Sequence, residues 1–320
     1  MPPSKPIRFG TGNARVRDRE SLLAAARQAE DLGFSTFSLA DHFMIPLAPL
    51  VALQAVADAT TTLRLGQMVL ALGFRHPAVL AKELATLDVL SGGRVEVGIG
   101  AGWIGEEFAQ AGMPFPSAGT RIEQLEEAIA VLKGLFADGP CTFAGQHYRI
   151  SGLDGTPKPV QRPGPPILVG GGGPKLLAAA ARQADIIQLL PAANRGPRSG
   201  DPWALTTASY REKIDWVRDA AGARFDGIEL GVLLTEAVIT DDPEPAEDAF
   251  LARHVPGGPV AGGPSRAELL ASPAVAIGSV EQVSEKLLAI RDTLGISYFW
   301  GPVRGTPVGL APVIERVAGR

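Results

Sequence analysis

Arg64-Leu-Gly-Gln-Met-Val-Leu70, Pro77-Ala-Val-Leu-Ala-Lys-Glu-Leu-Ala-Thr-Leu-Asp-Val-Leu-Ser91 and Arg94-Val-Glu-Val-Gly-Ile99 follow one another closely along the chain. The first and third are short β-rich runs. Between them Leu80, Leu84 and Leu87 share one helical face behind Pro77, a residue suited to a first helical turn. This is a strand–helix–strand unit, and the rhythm continues outward in both directions. Strands are predicted at 7–11, 35–40, 64–70, 94–99, 167–170, 184–190, 228–239 and 296–301. Helical periodicity joins Ile122, Leu125, Ile129, Leu132 and Phe136 over 120–138. It also joins Val280, Val283, Leu287, Ile290 and Leu294 over 279–294, with Ser279 placed as an N-cap. Eight strands with helices between them and no interdomain linker predict an α/β fold, a (β/α)8 TIM barrel forming a single domain over 1–320. A doubly wound open sheet is the alternative.

Three insertions break the rhythm. Residues 139–166 are rich in Gly and Pro and contain Phe143-Ala-Gly-Gln-His-Tyr148, a candidate hairpin. Residues 191–206 follow the sixth strand and 240–276 follow the seventh. In a barrel both lie at the C-terminal face, where active sites are built, so they are candidate lids or substrate walls.

The composition narrows the function classes. Of 320 residues 46% are hydrophobic and 20% charged, which suits a full-sized core. The net charge is -4, and no Lys/Arg run reaches five residues, which argues against a nucleic-acid partner or an anionic membrane surface. Cys141 is the one cysteine, so no intramolecular disulfide forms. The N-terminus lacks the apolar core of a signal peptide, and no apolar run approaches membrane-spanning length. These features read as a soluble cytoplasmic protein. No metal site is expected, because His42, His76, His147 and His254 are scattered.

Several strand ends carry chemistry. Ser38-Leu-Ala-Asp-His-Phe43 places Asp41 and His42 at the catalytic rim, where an imidazole is suited to proton transfer near neutral pH. The opposing reading has Asp41 capping a turn and His42 packing. Gly98-Ile-Gly-Ala-Gly-Trp103 is not a dinucleotide fingerprint, but its glycines call for close approach by a ligand or another backbone. Val169-Gly-Gly-Gly-Gly-Pro-Lys175 is the sharpest local signal. Free backbone N–H groups at a helix start, with the Lys175 cation, make an anion site. Arg75 and His76 are either anion contacts or loop caps. Trp103, Phe108, Trp203 and Trp300 are candidate pocket walls or core residues. A glycosidase pairing of Asp41 with Glu106 or Glu236 stays open.

Read in order, several segments resemble the bacterial-luciferase-like (LLM class) flavin and deazaflavin oxidoreductases. They are Leu39-Ala-Asp-His-Phe43, Leu65-Gly-Gln-Met-Val69, Arg75-His-Pro77, Leu84 to Arg94, Val97 to Trp103, Pro157-Lys-Pro-Val160, Pro165 to Gly173 and Gly278 to Val283. The details look most like the F420-dependent branch. The resemblance implies a barrel holding an isoalloxazine-type ring at its C-terminal mouth, with hydride transfer between coenzyme F420 and a small-molecule substrate. His42 matches a ring-side catalytic histidine, with Asp41 beside it among the cofactor contacts. Met68 and Val69 match a non-prolyl cis peptide behind the ring. Gly100, Ala101 and Gly102 match a cofactor-contacting turn, and Gly170, Gly171, Gly172 and Gly173 with Lys175 match the phosphate side. Trp103 stands where some relatives carry a catalytic Glu, with Glu106 a loose substitute; both are assigned to the substrate. The polyglutamate tail of F420 calls for cations, for which Arg75, Arg121, Lys175 and Arg195 are candidates. A homodimer is expected. The alternatives are an FMN-dependent monooxygenase of the same family and a non-catalytic flavin-binding barrel.

Overall fold

The computed structural model describes residues 5–12, 16–191, 201–255 and 262–320. Thirteen strands occur among them. β1 (Arg8–Gly12), β2 (Thr36–Leu39), β3 (Arg64–Gln67), β5 (Val95–Gly100), β8 (Ile167–Gly171), β9 (Ile186–Leu189), β10 (Glu229–Leu233) and β13 (Ile296–Trp300) are all parallel to their neighbours. They run in the order β3-β2-β1-β13-β10-β9-β8-β5, and β3 pairs with β5 to close the ring. This is the predicted (β/α)8 barrel, and the open-sheet alternative falls.

Helices cover the outside. α1 (Arg19–Asp31), α2 (Pro49–Ala59) and α3 (Pro77–Leu90) follow the first three barrel strands. α4 (Gly105–Gln110) and α5 (Ala118–Phe136) follow β5, α6 (Pro174–Gln183) follows β8, and α7 (Thr207–Ala221) follows β9. The caps explain several boundaries. Ser279 accepts from the Gln282 N–H at the start of α10 (Val280–Leu294), completing a reciprocal capping box. His76 caps α3 through Nδ1, which accepts from the Ala78 N–H. Leu84, Leu87, Leu125, Ile129 and Leu132 are buried between helices and barrel.

Two predicted strands divide. The run 228–239 forms β10 and then β11 (Glu236–Ile239), which leaves the barrel to pair in parallel with β12 (Val275–Gly278). At the break the Leu234 N–H donates to Trp300 O and the Thr235 N–H to Ala274 O, so the chain changes partners there. The run 64–70 forms β3 and β4 (Leu70–Ala71), interrupted at the cis Met68–Val69 peptide. Within 139–166 the hairpin is present, as β6 (Pro140–Ala144) antiparallel to β7 (Arg149–Asp154). Insertion 240–276 adds α8 (Glu244–His254) and α9 (Arg266–Leu270). α11 (Pro307–Val317) closes the chain. Parts of 191–206 and 240–276 lie outside the described residues.

The barrel interior is divided between glycines and a few large side chains. A Cβ on Gly10 would lie 2.6 Å from both Trp300 and Tyr298, and one on Gly231 would lie 2.2 Å from Gln188 Oε1. Each missing side chain makes room for a neighbour. At the N-terminal end Arg8 grips Glu229 through two 2.7 Å bonds and Glu96 at 2.8 Å. Its guanidinium lies 3.5 Å from the Tyr298 ring centroid, and the Tyr298 hydroxyl donates to Glu96. Paired charged groups thus close the N-terminal end of the barrel.

The tightest contact is at Gly98, where a Cβ would lie 1.7 Å from the Gln67 carbonyl oxygen. Overpacking of this kind typically costs ~1–3 kcal/mol. Gly98→Ala should lose at least that much stability in urea unfolding. Gly173→Ala, whose Cβ meets nothing within 4 Å, should lose far less.

Candidate active site at the barrel mouth

The site begins with the chain that leaves β3. Because Gly98 has no side chain, the Gln67 backbone presses against β5. Val69 then lies against three glycines: Cβ atoms on Gly98, Gly100 and Gly170 would stand 3.4, 2.7 and 3.7 Å from its methyls. Met68, Val69 and Trp300 are partly buried and pack on Leu168, Ile186 and Tyr298. Strand ends far apart in sequence therefore meet around one valine, forming an apolar floor. Gly102 takes φ +76, a conformation that favours glycine, and a Cβ there would lie 3.3 Å from the Phe108 ring.

The glycine run 170–173 divides by role. Gly171 is closed: its Cβ would lie 2.6 Å from Leu176, so packing accounts for that glycine. Gly173 is open and serves as N-cap of α6 with no side-chain hydrogen bond. Pro174 has no N–H to satisfy, and the Leu177 N–H is the first to reach back, to Gly173 O. The amides of Lys175 and Leu176 stand at the positive helix end. The exposed Lys175 side chain reaches α5, where a Cβ on Gly119 would sit 3.3 Å from Nζ.

Asp41 and His42, just past the end of β2, meet different partners. Asp41 is buried and takes Arg75 Nη1 at 2.6 Å and the Ala71 N–H at 3.2 Å. It therefore ties the β2 end to the β4 end and does not orient His42. His42 Nδ1 lies 2.8 Å from Oε2 of Glu107, a buried carboxylate on α4. The Trp103 ring stands edge-on to the imidazole, centroids 5.9 Å apart. The sequence points to Glu106, whereas the structure brings Glu107 to the ring. Glu106 is exposed and accepts from Gln110 on its own helix. The Glu106-Glu107-Phe108 run held the signal, since the buried Phe108 marks the inward side of α4.

Other candidates disperse. Asp41 and Glu236 are each ion-paired, with Arg75 and Arg253, so no free carboxylate pair of the glycosidase kind forms. Arg121 donates to the Ala101 and Pro116 carbonyls and stacks 3.8 Å over Phe115; burial lowers its pKa from the usual guanidinium value. Arg195 lies outside the described residues. Among the described residues no three metal-ligating side chains cluster, and no helix is long and apolar enough to cross a membrane.

A family model described as luciferase-like monooxygenase matches residues 6–297. The FMNH2-dependent dimethylsulfone monooxygenase of Pseudomonas putida is 32% identical over 183 residues, 56% of this chain and 45% of that protein. The F420-dependent glucose-6-phosphate dehydrogenase of Kineococcus radiotolerans is 36% identical over 169 residues, 50% of this chain and 49% of that protein. The chain spans about half the length of these curated relatives. Among solved structures, the coenzyme F420 dependent tetrahydromethanopterin reductase from Methanopyrus kandleri superposes with TM-score 0.76 at 18% identity, covering 98% of both chains. An F420-dependent secondary alcohol dehydrogenase gives 0.73 at 21% identity, again covering 98% of both. At these identities the structures share the fold.

Proposed function

Because the chain belongs to the luciferase-like monooxygenase family, we propose that it is an F420-dependent oxidoreductase of one catalytic domain acting on a small organic substrate. The observation that carries this reading is the glycine-lined Val69 floor together with the start of α6, whose N-cap Gly173 makes no side-chain hydrogen bond and has open space at its Cβ position. The residues present suit a flat tricyclic ring with a phosphorylated side chain. Val69 and Met68 offer an apolar back, Gly100, Ala101 and Gly102 a close backbone edge, and Gly173 unfilled space. The α6 amides and Lys175 would hold the phosphate. Bound F420 would supply hydride chemistry. His42 would hold or release a proton at a ring nitrogen, and Trp103 and Glu106 at the outer edge would face the substrate.

FMN is the second reading, favoured by the 32% identity to an FMNH2-dependent monooxygenase. We place the protein in the cytoplasm, as a homodimer. The single buried Cys141 supports a reducing compartment, and exposed Phe43, Met44 and Val51 support a covered face. Sedimentation at one chain mass would overturn the dimer. Fluorescence titration decides the cofactor: F420 should bind at low micromolar affinity or better, roughly −8 kcal/mol. Tight FMN binding without F420 binding reverses the choice.

Two variants probe the site. Gly173→Asp places a carboxylate at an N-cap, a position where Asp stabilises helices, so thermal stability should hold or rise. The same charge opposes the cofactor's phosphate, and affinity should fall by roughly tenfold or more. Unchanged affinity removes α6 from the phosphate site. His42→Ala should cut single-turnover rates by ~10²–10⁴-fold at saturating cofactor with a much smaller change in cofactor affinity. Near-normal turnover makes His42 a packing residue.

A further inference from the structure

Glu107 stands behind the imidazole, and the fold invests heavily in placing it there. α4 is only six residues long, and an aromatic row fixes it. Phe108 packs on Phe74 and Phe115 with centroids 4.7 and 4.9 Å apart, and Phe74 continues to Phe43 at 4.9 Å. Gly73 makes the room: a Cβ there would lie 2.4 Å from the Phe108 ring. With Phe108 seated, its neighbour Glu107 is held 7% exposed against His42. Glu107 Oε2 takes the contact with Nδ1, while Oε1 is buried with no hydrogen-bond partner among the described residues. A buried carboxylate oxygen left unmatched is costly, so the helix gives up stability to keep this acid where it is.

We propose that Glu107 is the positioning residue for His42, fixing the ring as the Nδ1–H tautomer and leaving Nε2 as the nitrogen that exchanges a proton at the mouth. The proposal rests on the reading of His42 as the proton-transferring group. A carboxylate accepts and an imidazole N–H donates, so the 2.8 Å contact with Glu107 Oε2 assigns its proton to Nδ1. Nε2 has no hydrogen-bond partner among the described residues. The other charges nearby are spoken for: Asp41 is committed to Arg75 and the Ala71 N–H, and Glu106 to Gln110. When Nε2 takes a proton, the resulting imidazolium already faces the Glu107 carboxylate, and the ring need not turn to find a counter-charge.

The test reads the tautomer directly. Protein labelled with 15N-histidine gives pyrrole-type and pyridine-type ring resonances, and the His42 pair is assigned by its disappearance in His42→Asn. The parent protein, at a pH where the ring is neutral, should show Nδ1 protonated and Nε2 bare. Glu107→Gln offers an amide N–H to Nδ1 and should shift the ring toward the Nε2–H form. Turnover at saturating cofactor should fall roughly 10²-fold, with cofactor affinity changed less than about threefold. A parent ring protonated on Nε2 overturns the proposal and needs no variant, so a Glu107→Gln chain that fails to fold still leaves it exposed. A Glu107→Gln ring that keeps the parent tautomer, in an enzyme that turns over F420 normally, also overturns it. The expected tautomer shift in a protein that binds neither F420 nor FMN supports Glu107 as the positioning residue and refutes the cofactor reading instead.

Discussion

The backbone approach of Gln67 to Gly98 is the constraint on which the site depends. The two strands could not come this close if position 98 carried any side chain, since a Cβ would lie 1.7 Å from a carbonyl oxygen. The closeness throws the chain after β3 toward the barrel axis, so that Val69 reaches Gly100 and Gly170 rather than the helical layer. Enlarging any of these glycines would lift the floor or push the strands apart. Small residues on β5 and β8 and a branched residue after β3 are thus one device, spread over a hundred positions of sequence.

The same economy divides the barrel along its axis. Toward the N-terminal end Arg8, Glu96, Glu229, Tyr298 and Thr36 satisfy one another within hydrogen-bond distance. A charged plug of this kind is tolerable in an interior because each charge has a partner and the guanidinium forks match carboxylates. Toward the C-terminal end the partners run out. Gln188 and Trp300 carry buried polar atoms without protein partners among the described residues. The polar groups are thus paired at one end of the barrel and left without protein partners toward the other.

Much of this was legible in the sequence, and the limits have physical causes. Strand–helix alternation, the Ser279 cap and the glycine run before Pro174 are local patterns, and local propensity wrote them. The glycines at 98–102 announced a close approach, though not whether ligand or backbone would fill it; at Gly98 it is backbone. The break of 228–239 into β10 and β11 was hidden, because both halves are β-rich and only the distant β12 decides where the second half pairs. The His42–Glu107 contact spans 65 residues and depends on how Phe108 seats a six-residue helix. Side-chain partnerships of that range are fixed by packing, and no spacing rule reaches them.

The pairing of adjacent acid and imidazole at 41 and 42 shows what sequence proximity conceals. The nearest carboxylate in sequence pairs with an arginine and a backbone amide, and the one that meets the ring lies 65 residues away. Asp41 instead takes Arg75 and the Ala71 amide, which ties the end of β2 to β4 one residue before the histidine. That anchorage lets His42 stand partly exposed without its backbone drifting, while the carboxylate that meets the ring arrives from α4. One acid fixes where the imidazole is and another fixes which nitrogen is free. Separating the two leaves Asp41 paired with Arg75 and the Ala71 N–H, while Glu107 meets the ring through Oε2 and keeps Oε1 without a hydrogen-bond partner among the described residues.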